Sequence, residues 1–426
     1  MWGCMDLPGA DSNMDTSSSI GPQGSGDDGM PTRNAPTAAG VSGDDNNNSE
    51  SEEPATEETM AHHKTRKSRL AKVAFSLTFT IVLGITFLFV TCFQLVNDRA
   101  AINNRWTESL ETDTTTQAAV NTIAERDGAT LVNTGTYLEN LREIDAKNSL
   151  FRSVWIVWFS WEGNDDLDFT DGQFIYYNGS INKVNVLRNE VSEEGVHYQQ
   201  LRVDVTISQA FHTARFPLDN HLLRLYIQVA YPVSEVLLTR SSDTEKVNQN
   251  INVYNYEINR AASTIKYVSF QDNHDDPMIP EGEVEYVAEY MDIVEVNRAG
   301  FGLYAKCFIA IWGTTLWVLI MLHVATRHRV DVFSMIPSTL FGAVGNILIG
   351  AALLPEALGL GLLEYGNIWG IFIVLSGTVT ITIINRERNH WKDNAFADKY
   401  GRFMFYAIVT LAIIGNIALP LCAFQF

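Results

Sequence analysis

Six side chains within one apolar run stand at a spacing that could handle ions. Ser334, Ser338, Phe341, Gly345, Leu348 and Ala352 follow one another at i, i+4, i+7, i+11, i+14 and i+18, which is a single stripe of a helix. Asp331 extends the stripe at one end. Around an axis shared by several copies, each position becomes a ring. A ring of Asp331 carboxylates selects cations, and the serine hydroxyls replace part of an ion's hydration shell. Phe341 and Leu348 give apolar constrictions that close by dewetting. The plainer reading is that Ser and Gly only let helices approach closely, with Asp331 an ordinary loop acid beside Arg329.

The elements that must hold this stripe are membrane-sized. Four apolar runs lie at about 303–325, 332–354, 367–385 and 403–424, each long enough to span a bilayer core of about 20 helical residues. A fifth, Val73 to Val96, follows Lys64, Arg66, Lys67, Arg69 and Lys72 and reads as an uncleaved signal-anchor. Arg327, His328 and Arg329 separate the first two C-terminal runs, and Arg386, Arg388, Lys392, Lys399 and Arg402 separate the last two. Glu356 and Glu364 lie between the middle pair. The positive-inside rule then predicts a multi-pass cell-membrane protein. Its N-terminus is cytoplasmic and its C-terminus extracellular or periplasmic.

Residues 1–63 are rich in Gly, Ser, Asp, Asn and Glu and read as a disordered acidic cytoplasmic tail. Residues 64–97 carry the N-terminal membrane helix, 98–300 an extracellular or periplasmic domain, and 301–426 the helical membrane domain. The 98–300 segment has strand-like runs at 154–159, 201–207, 215–227, 253–258, 264–270 and 284–296, separated by turn residues at short intervals. That pattern predicts an all-β sandwich, with a short helix within 107–127. In Arg215-Phe216-Pro217-Leu218-Asp219-Asn220 a proline and an Asp-Asn pair make a turn, and a strand follows it. The formal charge of -20 excludes nucleic acid as a partner. Of the four cysteines none falls in the 98–300 segment, so no disulfide or thiolate metal site belongs there. No phosphate loop, HExxH or nucleophile elbow is present, so the chain reads as no enzyme, with no cofactor and no metal.

In order, spacing and topology the chain resembles the pentameric ligand-gated ion channels, in their prokaryotic form without bridging cysteines. The resemblance covers about residues 129–424. It is carried by Phe216-Pro217-Leu218-Asp219 with Leu223 and Gln209 where animal members have cysteines, and by Val132-Asn133-Thr134-Gly135-Thr136-Tyr137-Leu138 with Trp161. Arg298 before the first C-terminal run, and Ser338-Thr339-Leu340 with Leu354-Pro355 around the second, complete it. The resemblance implies a homopentamer, with an extracellular all-β sandwich and a C-terminal four-helix transmembrane bundle. The N-terminal membrane helix is an addition to that plan. It also implies a ligand-gated channel passing permeant ions, monovalent cations by the Asp331 reading, among membrane lipid. By the same resemblance the Phe216–Asp219 turn rests on the connection at Pro355–Gly361, Arg298 pairs with Asp219, and the turn at Asp145 makes a second contact. Pro337 departs from the family pattern, and no Trp-x-Pro segment of the transmitter pocket is present.

A ligand site between neighbouring outer domains would draw on Tyr231 and on a hairpin bearing Asp272, His274, Asp275, Asp276, Glu281 and Glu283. Those groups suit a small ligand, a proton or a divalent cation. A solvated acidic tip is the blander alternative. Asp165, Asp166, Asp168 and Asp171 form a second acidic run. Two other functions stand beside the cation channel: a non-conducting membrane receptor or scaffold, and an anion channel in which Arg329 dominates the mouth.

Overall fold

The computed structural model describes residues 54–170, 173–241, 246–270, 285–353 and 360–424. The expected tail up to residue 53, Pro355, Asp171 and the hairpin residues Asp272, His274, Asp275, Asp276, Glu281 and Glu283 lie outside the described residues. The chain opens with α1 (Pro54–Leu110), far longer than a membrane span needs. Asp113 caps α2 (Thr114–Asp127) by accepting the Thr115 N–H at 3.0 Å, and Gly128 ends it at φ 71°.

Among the described residues nine strands follow: β1 (Thr130–Asp145), β2 (Leu150–Glu162), β3 (Phe174–Tyr176), β4 (Gly179–Val191), β5 (Val196–Ser208), β6 (Asn220–Pro232), β7 (Val236–Arg240), β8 (Tyr256–Phe270) and β9 (Glu285–Arg298). They run in a five-stranded sheet, β4-β5-β2-β1-β7, and a four-stranded sheet, β3-β6-β9-β8. β1 pairs with β7 in parallel, so the first sheet is mixed. Two expected strands, 253–258 and 264–270, are largely one continuous strand, β8. Gly135 on β1 lies under Trp158 of β2, where an added Cβ would stand 2.2 Å from the indole.

After the strands the described residues form four α-helices: α3 (Gly302–Arg327), α4 (Ile336–Leu353), α5 (Leu362–Asn389) and α6 (Asn394–Ala423). A 3-10 turn, Phe333–Met335, leads into α4. Pro337 sits in the first turn of α4, where a missing N–H costs nothing. Among the described residues five helices, α1 and α3 to α6, are long and apolar enough to cross a membrane.

This architecture corrects the expected all-β sandwich with a following four-helix bundle. The chain has a helical N-terminal region, a mixed sheet domain in two small sheets, and a helical C-terminal region. The sheet domain is not all-β, because Ile102, Trp106 and Leu110 of α1 pack on Leu222 and Ile293 of the four-stranded sheet. Val120 and Ala124 of α2 pack beside Val233. Nor do the last four helices form a bundle of their own. Leu88 and Leu95 of α1 are buried in the same core as Ile311, Val318, Trp369, Ile373 and Ile408, and Phe87 stacks on Trp369 at 6.0 Å. Apolar length sets which segments are helices, whereas side-chain fit sets their neighbours. Gly415 of α6, for instance, lies against the Trp369 indole, where a Cβ would be 2.2 Å away.

Candidate functional site

The turn before β6 positions a buried knot of charge. β6 pairs with β9 so that Asn220 stands opposite Asn297, and Tyr256 of β8 stands opposite Arg298. The Arg298 Nε donates to Asp219 Oδ1 at 2.6 Å, and its backbone N–H donates to the Asp219 carbonyl at 3.1 Å. The guanidinium lies 4.6 Å from the Tyr256 ring centroid and 5.0 Å from that of Phe216, so it makes cation–π contact with both rings. His221 Nε2 stands 3.0 Å from Asp219 Oδ2, at ion-pair distance but not at a hydrogen-bonding angle. Burial pushes the Asp219 carboxyl up, but His221 and Arg298 outweigh it and hold the group well below the usual carboxylate range. Burial likewise lowers Arg298, and Asp219 more than restores it.

The same turn touches the helices. Phe216, preceding a cis peptide to Pro217, is buried in the helical core, and Leu218 packs against it. The Leu362 N–H at the start of α5 donates to the Ala214 carbonyl at 2.8 Å. Gly361 permits that approach, since a Cβ there would stand 2.5 Å from the same oxygen. Buried Arg215 donates to the Ala423 carbonyl at the end of α6 at 3.2 Å and also to the Asn220 side-chain oxygen. Asn220 donates to Glu295 Oε1 at 2.6 Å, and Arg260 and Asn259 donate to Glu295 Oε2. Arg260 continues to Asn103 of α1 at 3.0 Å and lies over Trp106. A continuous polar path therefore joins α6, β6, β9, β8 and α1. Sequence reasoning missed Arg215, Glu295 and Arg260. The available signal was two acids, Asp292 and Glu295, in Met291-Asp292-Ile293-Val294-Glu295-Val296, a stretch otherwise apolar.

Asp145 itself caps its own turn, accepting from the backbone N–H groups of Lys147 and Asn148 at 3.0 Å each. Lys147 is the residue that reaches the helices, donating to the Ala352 carbonyl of α4 at 3.1 Å.

On α4 the predicted stripe lies on the exposed side. Ser334, Ser338, Phe341, Leu348 and Ala352 are exposed, Phe341 by 78% and Leu348 by 65%, and Gly345 is half-buried. The buried set is Val332, Ile336, Thr339, Ala343, Asn346 and Gly350, the same spacing displaced by two residues. Two residues turn a helix by about 200°, so the two stripes are opposite. Asn346 donates to Asn367 of α5 within the packed face. Exposed Asp331 accepts from the Phe333 N–H at 3.0 Å and from Asn385 of α5 at 2.8 Å, which fixes its carboxylate at the head of the stripe. The Ser338 hydroxyl donates to the Met335 carbonyl at 2.6 Å, leaving its oxygen to accept or to face a cation. Arg329 turns away to Asp398, with Nη2 at 2.8 Å.

Tyr231 is not beside this knot. Its hydroxyl stands 3.4 Å from both the N–H and the carbonyl of Asp168, and its ring meets Phe169 edge-on. Burial raises the Asp168 carboxyl, but Thr170 and Gln199 hydrogen bonds bring it below its ordinary value. His197 stacks on Trp161 and stands 2.9 Å from Asp165. No group of three or more His, Cys, Asp or Glu among the described residues is placed to hold a metal ion. No family model and no curated protein matches this chain.

Proposed function

We propose that the chain is a subunit of a cation-conducting membrane channel, in which copies close into a ring, five by the resemblance, and line the axis with α4. The observation that carries this reading is the Asp331-Ser334-Ser338-Phe341-Leu348 face. It is exposed, it bears polar groups at one end, and it lies opposite the face by which α4 packs on its own chain. Its polar end, Asp331, Ser334 and Ser338, wants water or another copy rather than lipid. Pairing of Arg329 with Asp398 leaves the Asp331 carboxylate dominant at the mouth, which favours cations over anions.

The topology follows the basic loops. Arg69, just before the apolar run of α1, stands 3.7 Å from Asp393 and lies over Trp391, both in the α5–α6 connection. That contact supports a common side for the two most basic segments, the cytoplasmic side by the positive-inside rule. The sheet domain then lies outside. A stimulus there, a small ligand, proton or divalent cation, would act on the helices through the Asp219–Arg298 knot and the Lys147 contact. A charge pair biases a two-state equilibrium when its geometry differs between the states.

The test is current through purified protein in a planar bilayer under a potassium chloride gradient. The account expects a reversal potential on the potassium side, moved toward the chloride side by Asp331→Lys. An unchanged reversal potential in the variant removes Asp331 from selectivity, and absence of any current removes the channel.

A further inference from the structure

The stretch of α1 from Ser68 to Ser76, which carries Arg69 and Lys72, forms one wall of a cavity of about 340 Å³ that the channel reading does not use. The cavity lies between α1, the end of α5 and the start of α6. Its size falls within the roughly 300–1,000 Å³ of small-ligand sites. At its base the Ser76 and Tyr400 hydroxyls stand 3.2 Å apart. Lys72 and Arg386 line it and are exposed, and neither is ion-paired to a described residue. Arg69 completes the cationic set, with its guanidinium 4.4 Å from the Trp391 ring centroid and only a 3.7 Å approach to Asp393. Glu387 is the single acid among the described lining residues.

We infer that this cavity binds the phosphate-bearing headgroup of an anionic phospholipid. Three observations converge on a lipid rather than a free anion. The apolar run of α1 begins at Val73, directly after Lys72, and that of α5 ends just before Arg386, so the cavity lies at headgroup depth. Trp391 beside it is the aromatic type that settles at that level. Next to the basic residues, α1 exposes Phe75 and Phe79, stacked 6.0 Å apart, as an apolar surface for acyl chains. Basic cavities between membrane helices bind such headgroups by direct charge pairing. The inference rests on the membrane-spanning reading and is independent of ion conduction.

The test uses the full chain in phosphatidylcholine vesicles doped with brominated phosphatidylglycerol or brominated phosphatidylcholine. Quenching of Trp391 is read as the difference between the protein and its Trp391→Phe variant. The expected result is half-maximal quenching at a several-fold lower fraction of the anionic lipid. Lys72→Gln should weaken that preference by about fivefold, the factor for one basic residue near an anionic surface, and Lys72→Arg should restore it. Lys72 is exposed, so neither variant threatens the fold. Equal quenching by the two lipids, or an unchanged preference in Lys72→Gln, overturns the inference. Displacement of the brominated lipid by millimolar inorganic phosphate also overturns it, by making this a free-anion site.

Discussion

Asp219 concentrates the account at the residue scale. Only 2% of it is exposed, and the Arg298 side chain beside it is 9% exposed. Asp219→Asn keeps the side-chain shape and an acceptor oxygen but removes the negative charge that balances the Arg298 guanidinium. Removing one partner of a buried pair costs about 3 kcal/mol or more. The variant is therefore expected to unfold at lower temperature and to shift the stimulus dependence of current. A lower unfolding midpoint with unchanged current activation would make the pair a static brace. The turn was legible in the sequence, because Pro217 and Asp219-Asn220 are turn chemistry, and the pairing with Arg298 came with the resemblance. The Arg215–Asn220–Glu295–Arg260 path was not legible. An inward charge announces that it needs a partner, yet the partner lies 35 to 75 residues away and only the strand register identifies it.

At the scale of elements, β1 and β9 meet across the two sheets at a buried carboxyl. Asp292 Oδ1 accepts from Thr136 of β1 at 2.8 Å, and its Oδ2 has no hydrogen-bond partner among the described residues. Burial raises the group to about 7, against smaller opposing effects from Thr136 and from Lys246. Tyr290 on the same strand, Tyr176 of β3 and Ser263, paired with Asp292 from β8, complete its surroundings. The native state holds the proton more tightly than the unfolded chain does. This contribution to stability is thus fully present below the ordinary carboxylate range and is lost as pH rises through about 7. Purified protein should unfold at lower temperature at pH 8 than at pH 5, and Asp292→Asn should flatten that slope. An equal slope in the variant would assign the effect elsewhere. Helix α4 shows how far periodicity reaches. The stripe from Ser334 to Ala352 was readable because a helix repeats its faces, and the structure puts it opposite the packed one. The course of α1 was not readable: polar residues 97–110 give no span signal, yet Ile102, Trp106 and Leu110 carry the helix onto a sheet.

For the whole molecule, the apolar runs gave the five membrane-sized helices, while the order of strands into two small sheets and the sharing of one core by α1 with α3 to α6 came from side-chain fit. The expected all-β domain failed because two helical segments, α1 and α2, supply part of its packing. Central to the proposed channel is an exposed face of α4 that would border water on an axis shared by copies. Ser338 lies in that face, and Ile347 is exposed beside the packed face. The most direct measurement is bilayer current before and after a charged, water-soluble thiol reagent, on Ser338→Cys and Ile347→Cys proteins. The account predicts block of the first and an unaltered second. Current in Ser338→Cys that the reagent leaves unchanged, or equal block of both, would contradict it.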